Sequence, residues 1–91
     1  MSIEELAMSW IYELMNTMSI VRTAYEHRNY NWVKSVEYSI ELRAWREQYR
    51  KVSQLCHAIG GAGLEKFNEM LPNGIETYKD TKWQKRKGQA I

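Results

Sequence analysis

The chain holds one cysteine, one proline and one phenylalanine among its 91 residues. A single thiol, Cys56, excludes an intrachain disulfide framework and fits a reducing compartment. No glycine or proline precedes Gly60, so the helical patterning of that long stretch meets neither of the usual breakers. No apolar run approaches membrane-spanning length, and Glu4 and Glu5 stand where a signal peptide would carry Lys or Arg. The expected location is cytosolic, with no membrane partner. Charge of one sign is scarce too: 13 Lys and Arg against 11 Asp and Glu leave a formal +2, too little for an argument from the whole protein for duplex nucleic-acid binding.

Catalytic groupings are equally sparse. Zinc needs clustered Cys and His, whereas Cys56 and His57 are adjacent and only His27 stands elsewhere. Helical neighbours point about 100° apart and do not share a site easily. A Cys–His nucleophile pair meets the same objection and lacks an orienting carboxylate, so Cys56 reads as a small buried apolar residue. Glu37 and Glu41 stand one helical turn apart, but no E-x-x-H accompanies them, and a solvated or interface-lining pair is the expected role. The run Gly60-Gly61-Ala62-Gly63 follows a helical pattern and lacks a G-K-[ST] ending, so it is neither a Walker loop nor a dinucleotide fingerprint. The expectation is a protein that is not an enzyme and uses no metal or cofactor.

What the chain does have is aromatic residues and helical periodicity. Four Trp and six Tyr are more than so small a core needs, and these types anchor interfaces and stacking sites. Ser2 with Glu5 is a capping box, predicting a helix from Ile3. Ile3, Leu6/Ala7, Trp10, Leu14, Met18, Val21 and Tyr25 then step by three and four as a seam, with Met8, Ile11, Met15 and Ile20 beside or away from it. From Val33 to Ile59 there are two apolar stripes: Val33, Val36, Ile40 and Ala44 on one side, and Tyr38, Leu42, Trp45, Tyr49 and Cys56 on another. One antiparallel neighbour covers one stripe, so the second predicts self-association or a partner.

Arg28 to Asn31 is the break between the two patterns, with Asn29 placed to close the first helix and Asn31 to cap the second. The competing arrangement is a single helix about 85 Å long at ~1.5 Å per residue; the hairpin buries both seams and is preferred. Gly60 to Gly63 ends the long helix, a short amphipathic piece with Leu64, Phe67, Met70 and Leu71 follows, and Pro72-Asn73-Gly74 punctuates it. The expected fold class is all-α: an antiparallel hairpin of two long helices with a short third helix over residues 1–74, assembling into a helical oligomer, followed by a basic tail over 75–91 that carries KWQKRK.

Three features point to binding. Arg43, Arg46 and Arg50, flanked by Ser39 and Ser53, lie on one face and suit phosphates or an acidic partner, although an ordinary solvated face, with Glu47 placed to pair with Arg43 or Lys51, is the favoured reading of the pattern. Gly60 to Gly63 lets backbone N–H groups approach a phosphate, with Lys66 adding charge where a helix begins at Leu64. Tyr12 lies off the seam near Ser9 and Asn16, where an aromatic ring can stack on a base, or simply face solvent or a subunit.

With these residues in place, the helical body from Ser2 to Leu71 resembles the bacteriophage anti-CBASS cyclic-nucleotide sponges: a small all-helical chain, two long helices and a short third, an early tyrosine, cations near the turn and a small-residue loop after the second helix. The resemblance implies a phage protein of the host-cell cytoplasm, a compact homo-oligomer, a hexamer in that family, that sequesters cyclic di- or trinucleotide second messengers without cleaving them. It implies Tyr12 as the base-stacking ring, Arg28 as the cation near the turn, and Gly61, Ala62, Gly63 and Lys66 around a phosphate site completed by another subunit. The family's cation near the turn is a lysine, where this chain has His27 and Arg28. Two readings from other classes stand beside it: a helical inhibitor that docks on a host protein through an exposed Tyr38, Trp45 and Tyr49 stripe, and a nucleic-acid binder that uses Arg43, Arg46, Arg50 and the basic tail.

Overall fold

The structure is a computed structural model in which residues 2–80 are described; Trp83 and the run from Lys82 to Lys87 lie outside the described residues. The first helix, α1 (Ile3–His27), starts where the capping box puts it. The Ser2 hydroxyl accepts from the Glu5 N–H at 3.1 Å, and the Glu5 carboxylate accepts from the Ser2 N–H at 3.3 Å. The second, α2 (Trp32–Ile59), is capped by Asn31, whose side-chain oxygen accepts from the Lys34 N–H at 2.9 Å. The hairpin is therefore the fold, and the single long helix is not. Asn29 does not close α1 through a left-handed turn. Arg28 is the C-cap in right-handed geometry, and among the described residues only glycines take positive φ.

Of the two stripes on α2, the one carrying Trp45 faces α1. Trp45 is 2% exposed and Cys56 is fully buried, with Tyr38, Leu42 and Tyr49 packed half-buried around them. Burial pushes the Cys56 thiol pKa up, in keeping with a packing role. The indole N–H of Trp45 donates to the Leu14 carbonyl at 3.0 Å, tying the two long helices together in the middle of the core. The opposite stripe stays in solvent: Val33, Val36 and Ile40 are exposed.

On α1 the buried set is Ala7, Ile11, Leu14, Met15, Met18 and Val21. Relative to the seam expected from spacing, it is rotated towards Ile11 and Met15, while Ile3 and Trp10 fall outside the core. The cause is tertiary: α1 packs against α2, against α3 (Gly61–Met70) and against a 3₁₀ segment (Gly74–Lys79), and three neighbours need a wider face than one.

The third helix begins at Gly61, directly after the α2 cap at Gly60, and not at Leu64. Gly60 and Gly61 have φ of 63° and 56°, and a Cβ on either would meet nothing within 4 Å. The requirement for glycine there is conformational, since a side chain in that region strains the backbone. This pair lets the chain reverse between two helices with no intervening loop.

The segment Gly74–Lys79 belongs to the packed body, although the sequence places residues beyond 74 in the tail. Thr77 and Tyr78 are buried. Thr77 Oγ1 donates to the Gly74 carbonyl at 2.7 Å and accepts from the Asn73 N–H at 3.1 Å, so its burial leaves no orphaned polar atom. Tyr78 inserts among Tyr25, Tyr38 and Trp45, with ring centroids 5.5–6.3 Å away. Its hydroxyl hydrogen-bonds the Tyr38 hydroxyl at 2.5 Å, and Arg22 donates to its carbonyl at 2.7 Å.

Burial first, and the Tyr38 hydroxyl second, push the Tyr78 phenol pKa well above its ordinary value. The unfolded chain ionises this group near pH 10 and the folded chain does not. Its contribution is complete below about pH 10 and declines above it by about 1.4 kcal/mol per pH unit. A urea titration followed by circular dichroism at pH 8, 10 and 11 should show this loss. Tyr78→Phe should remove its share of the slope and cost about 1 kcal/mol at pH 8 through the lost hydrogen bond.

Candidate functional site

The six residues singled out for ligand binding separate into four groups. Tyr12 and Lys66 are brought together. Tyr12 is 53% exposed on α1, and the Lys66 ammonium on α3 stands 6.0 Å from the centroid of its ring. Lys66 also pairs weakly with Glu69 at 3.9 Å, one turn further along. The pairing of Tyr12 with Lys66 exists because α3 folds back onto the N-terminal half of α1. At that crossing a Cβ placed on Gly63 would come within 3.6 Å of the Ala7 Cβ.

Gly61 and Ala62 are exposed at the start of α3, one turn before Lys66. The first turn of α3 has no side-chain cap and no acidic residue. Its leading amides therefore have no side-chain acceptor within the chain, and no acidic side chain of that turn offsets their partial positive charge. Gly63 differs: it is buried, and its hypothetical Cβ would lie 2.7 Å from Ile59 Cδ1. Its missing side chain is explained by the closeness of α3, α2 and α1.

Arg28 stands apart. It lies about 24 Å along α1 from Tyr12 at ~1.5 Å per residue. Its guanidinium sits 3.8 Å over the Tyr25 ring and donates to the Tyr25 carbonyl at 2.7 Å. Within one chain it closes the end of α1, and it can meet Tyr12 only across subunits. Neighbouring His27 stacks on Tyr30 at 5.4 Å with the planes 9° apart.

The remaining features are placed as follows. Arg43, Arg46 and Arg50 are exposed, and Arg50 is held by Glu47 at 2.7 Å. Glu37 is paired with Lys34 at 3.2 Å. Cys56 is buried, while exposed His57 turns its Nδ1 to the Ser53 carbonyl at 2.8 Å, so the two do not form a reactive pair. The stripe of Tyr38, Trp45 and Tyr49, expected to be exposed in an inhibitor, is committed to the core.

Sequence reasoning missed two clefts between the long helices. One of about 220 Å³ is lined by Trp10, Glu13, Gln48 and Lys51 above Leu14 and Val52. The other, about 480 Å³, lies nearer the turn among Ile20, Ala24, His27, Lys34, Ile40 and Glu41. The exposed stripe on α2 was the available signal for the second. Among the described residues no three His, Cys, Asp or Glu side chains gather as a metal site, and no helix is long and apolar enough to cross a membrane.

If Gly63 is a packing residue, Gly63→Leu should destabilise the chain by about 1–3 kcal/mol in urea titration by forcing Ile59 and α3 outward. A neutral result would contradict that assignment. No family model, no curated protein and no solved structure matches the chain.

Proposed function

We propose that this chain is a non-enzymatic binder of a small anionic nucleotide, of the cyclic di- or trinucleotide class, which it sequesters between the subunits of a homo-oligomer. The observation that carries the reading is the meeting of Tyr12 and Lys66 beside the start of α3. An exposed phenol face takes a base by stacking, the ammonium neutralises a phosphate, and the Gly61 and Ala62 amide N–H groups donate to phosphate oxygens without a competing acidic side chain in that turn.

One chain provides an open surface at this point, and affinity of this kind comes from burying the ligand. A second subunit supplies the missing wall, and Arg28 belongs to the site only by that route. The anti-defence role and phage origin implied by the sponge resemblance fit a protein that holds its ligand intact. The mechanism has no bond-breaking step; the ligand is withdrawn by mass action.

Isothermal titration against a panel of cyclic di- and trinucleotides should give saturable binding. Tyr12→Ala should weaken it about 5- to 150-fold, the loss of one stacked base at about 1–3 kcal/mol. Chromatography of the released ligand should return it unchanged. Absence of heat across the panel from folded protein, or binding indifferent to Tyr12→Ala and Lys66→Gln together, would overturn the reading.

A further inference from the structure

The face of α2 opposite the core has no partner within the chain. Trp32 is 76% exposed, Ile40 61%, Val33 46% and Val36 43%, and Ile20 of α1 adds 52% across the adjoining cleft. Together they leave on the order of 400 Å² of apolar side chain in water, taking ~150–250 Å² for a whole aromatic and less for the aliphatics. Contiguous patches above a few hundred Å² mark interaction surfaces. The apolar part alone is about half of the roughly 800 Å² per partner of a standard interface, the polar flanks adding to it.

We infer that this face is occupied by the same face of a second copy, with the two α2 helices antiparallel across a two-fold axis near Glu37 and Tyr38. The charge pattern selects that occupant. In a two-fold antiparallel pair, each flank of the stripe meets the same flank of the copy. The register that sets Val36 against Ile40 of the copy, and Val33 against Ala44, also sets Lys34 against Glu41 on one flank. On the other flank it sets Trp32 against Arg43.

Both contacts use groups the chain leaves idle. Glu41 is half-buried, Arg43 is exposed, and neither has an ion pair or hydrogen bond among the described residues. Lys34 binds Glu37 at 3.2 Å and keeps further ammonium protons for a second carboxylate. Arg43 meets the face of an indole that is otherwise in solvent. By symmetry each pair forms twice. An arbitrary partner has no reason to satisfy both flanks in one register.

The inference rests on the nucleotide reading in supplying the subunit contact that reading requires, but it is measured without nucleotide, so association can stand where ligand binding fails. Sedimentation equilibrium of the full chain should show reversible association into dimers or multiples of dimers. Ile40→Lys, at an exposed site where helicity by circular dichroism should be retained, should raise the dissociation constant at least ~100-fold by removing two buried side chains. Lys34→Glu and Glu41→Lys alone should each weaken association about 10-fold by placing like charges opposite, and the double variant should recover to within about 3-fold of the parent. A chain that stays monomeric at millimolar concentration would overturn the proposal and leave the face to a different protein. Association indifferent to Ile40→Lys, or a double variant no better than the singles, would overturn it as well.

Discussion

The arrangement rests on one crossing point, where the Trp45 indole donates to the Leu14 carbonyl inside the contact between α1 and α2. An indole has one donor and loses heavily if it is buried unpaired. Placing it therefore fixes both the rotation of α2 about its axis and its register along α1. The consequences follow in order. The stripe with Tyr38, Leu42, Tyr49 and Cys56 must turn inward with Trp45. The stripe with Val33, Val36 and Ile40, on the far side of the same helix, must turn outward. Tyr78 then finds its place among Tyr25, Tyr38 and Trp45, and draws the 3₁₀ segment into the body.

Most local signals in the sequence were readable, although Asn29 does not close α1 and α3 starts at Gly61 rather than Leu64. The capping box at Ser2 and Glu5, the Asn31 cap and the glycine stop at Gly60 each depend on residues within a few positions, and each stands where the pattern puts it. The two stripes of α2 were legible as well, because 100° periodicity depends on nothing outside the helix. Which stripe is inside was not legible: spacing carries no information about the neighbour. The same limit explains α1. Its seam was centred on Leu14 and Met18, but α3 and the 3₁₀ segment widen the buried face to include Ile11 and Met15. It also explains Tyr78, whose burial depends on a three-ring cluster assembled from distant parts of the chain.

The candidate site divides along the same line. Tyr12 and Lys66 could each be singled out as an aromatic ring and a cation lacking an obvious structural duty, but only the return of α3 onto α1 puts them side by side. The small residues at the start of α3 looked uniform in sequence and are not. Gly61 answers to backbone conformation and Gly63 to helix packing. Arg28 illustrates the converse, a cation that the chain already uses on Tyr25. A nucleotide reading built on this chain therefore depends on assembly. The apolar face of α2 and the surface at Tyr12 are both open in the single chain.

The central claim is that α2 gives one stripe to its own core and the opposite stripe to another copy. Methyl-resolved NMR with a soluble paramagnetic probe tests it most directly, over a dilution series of the full chain. The account predicts that Leu14 and Val52 methyls stay protected at every concentration. Ile40, Val33 and Val36 methyls should be bleached in dilute protein and become protected as concentration rises. Protection of Ile40 in the dilute monomer, or its bleaching at every concentration, would contradict the account.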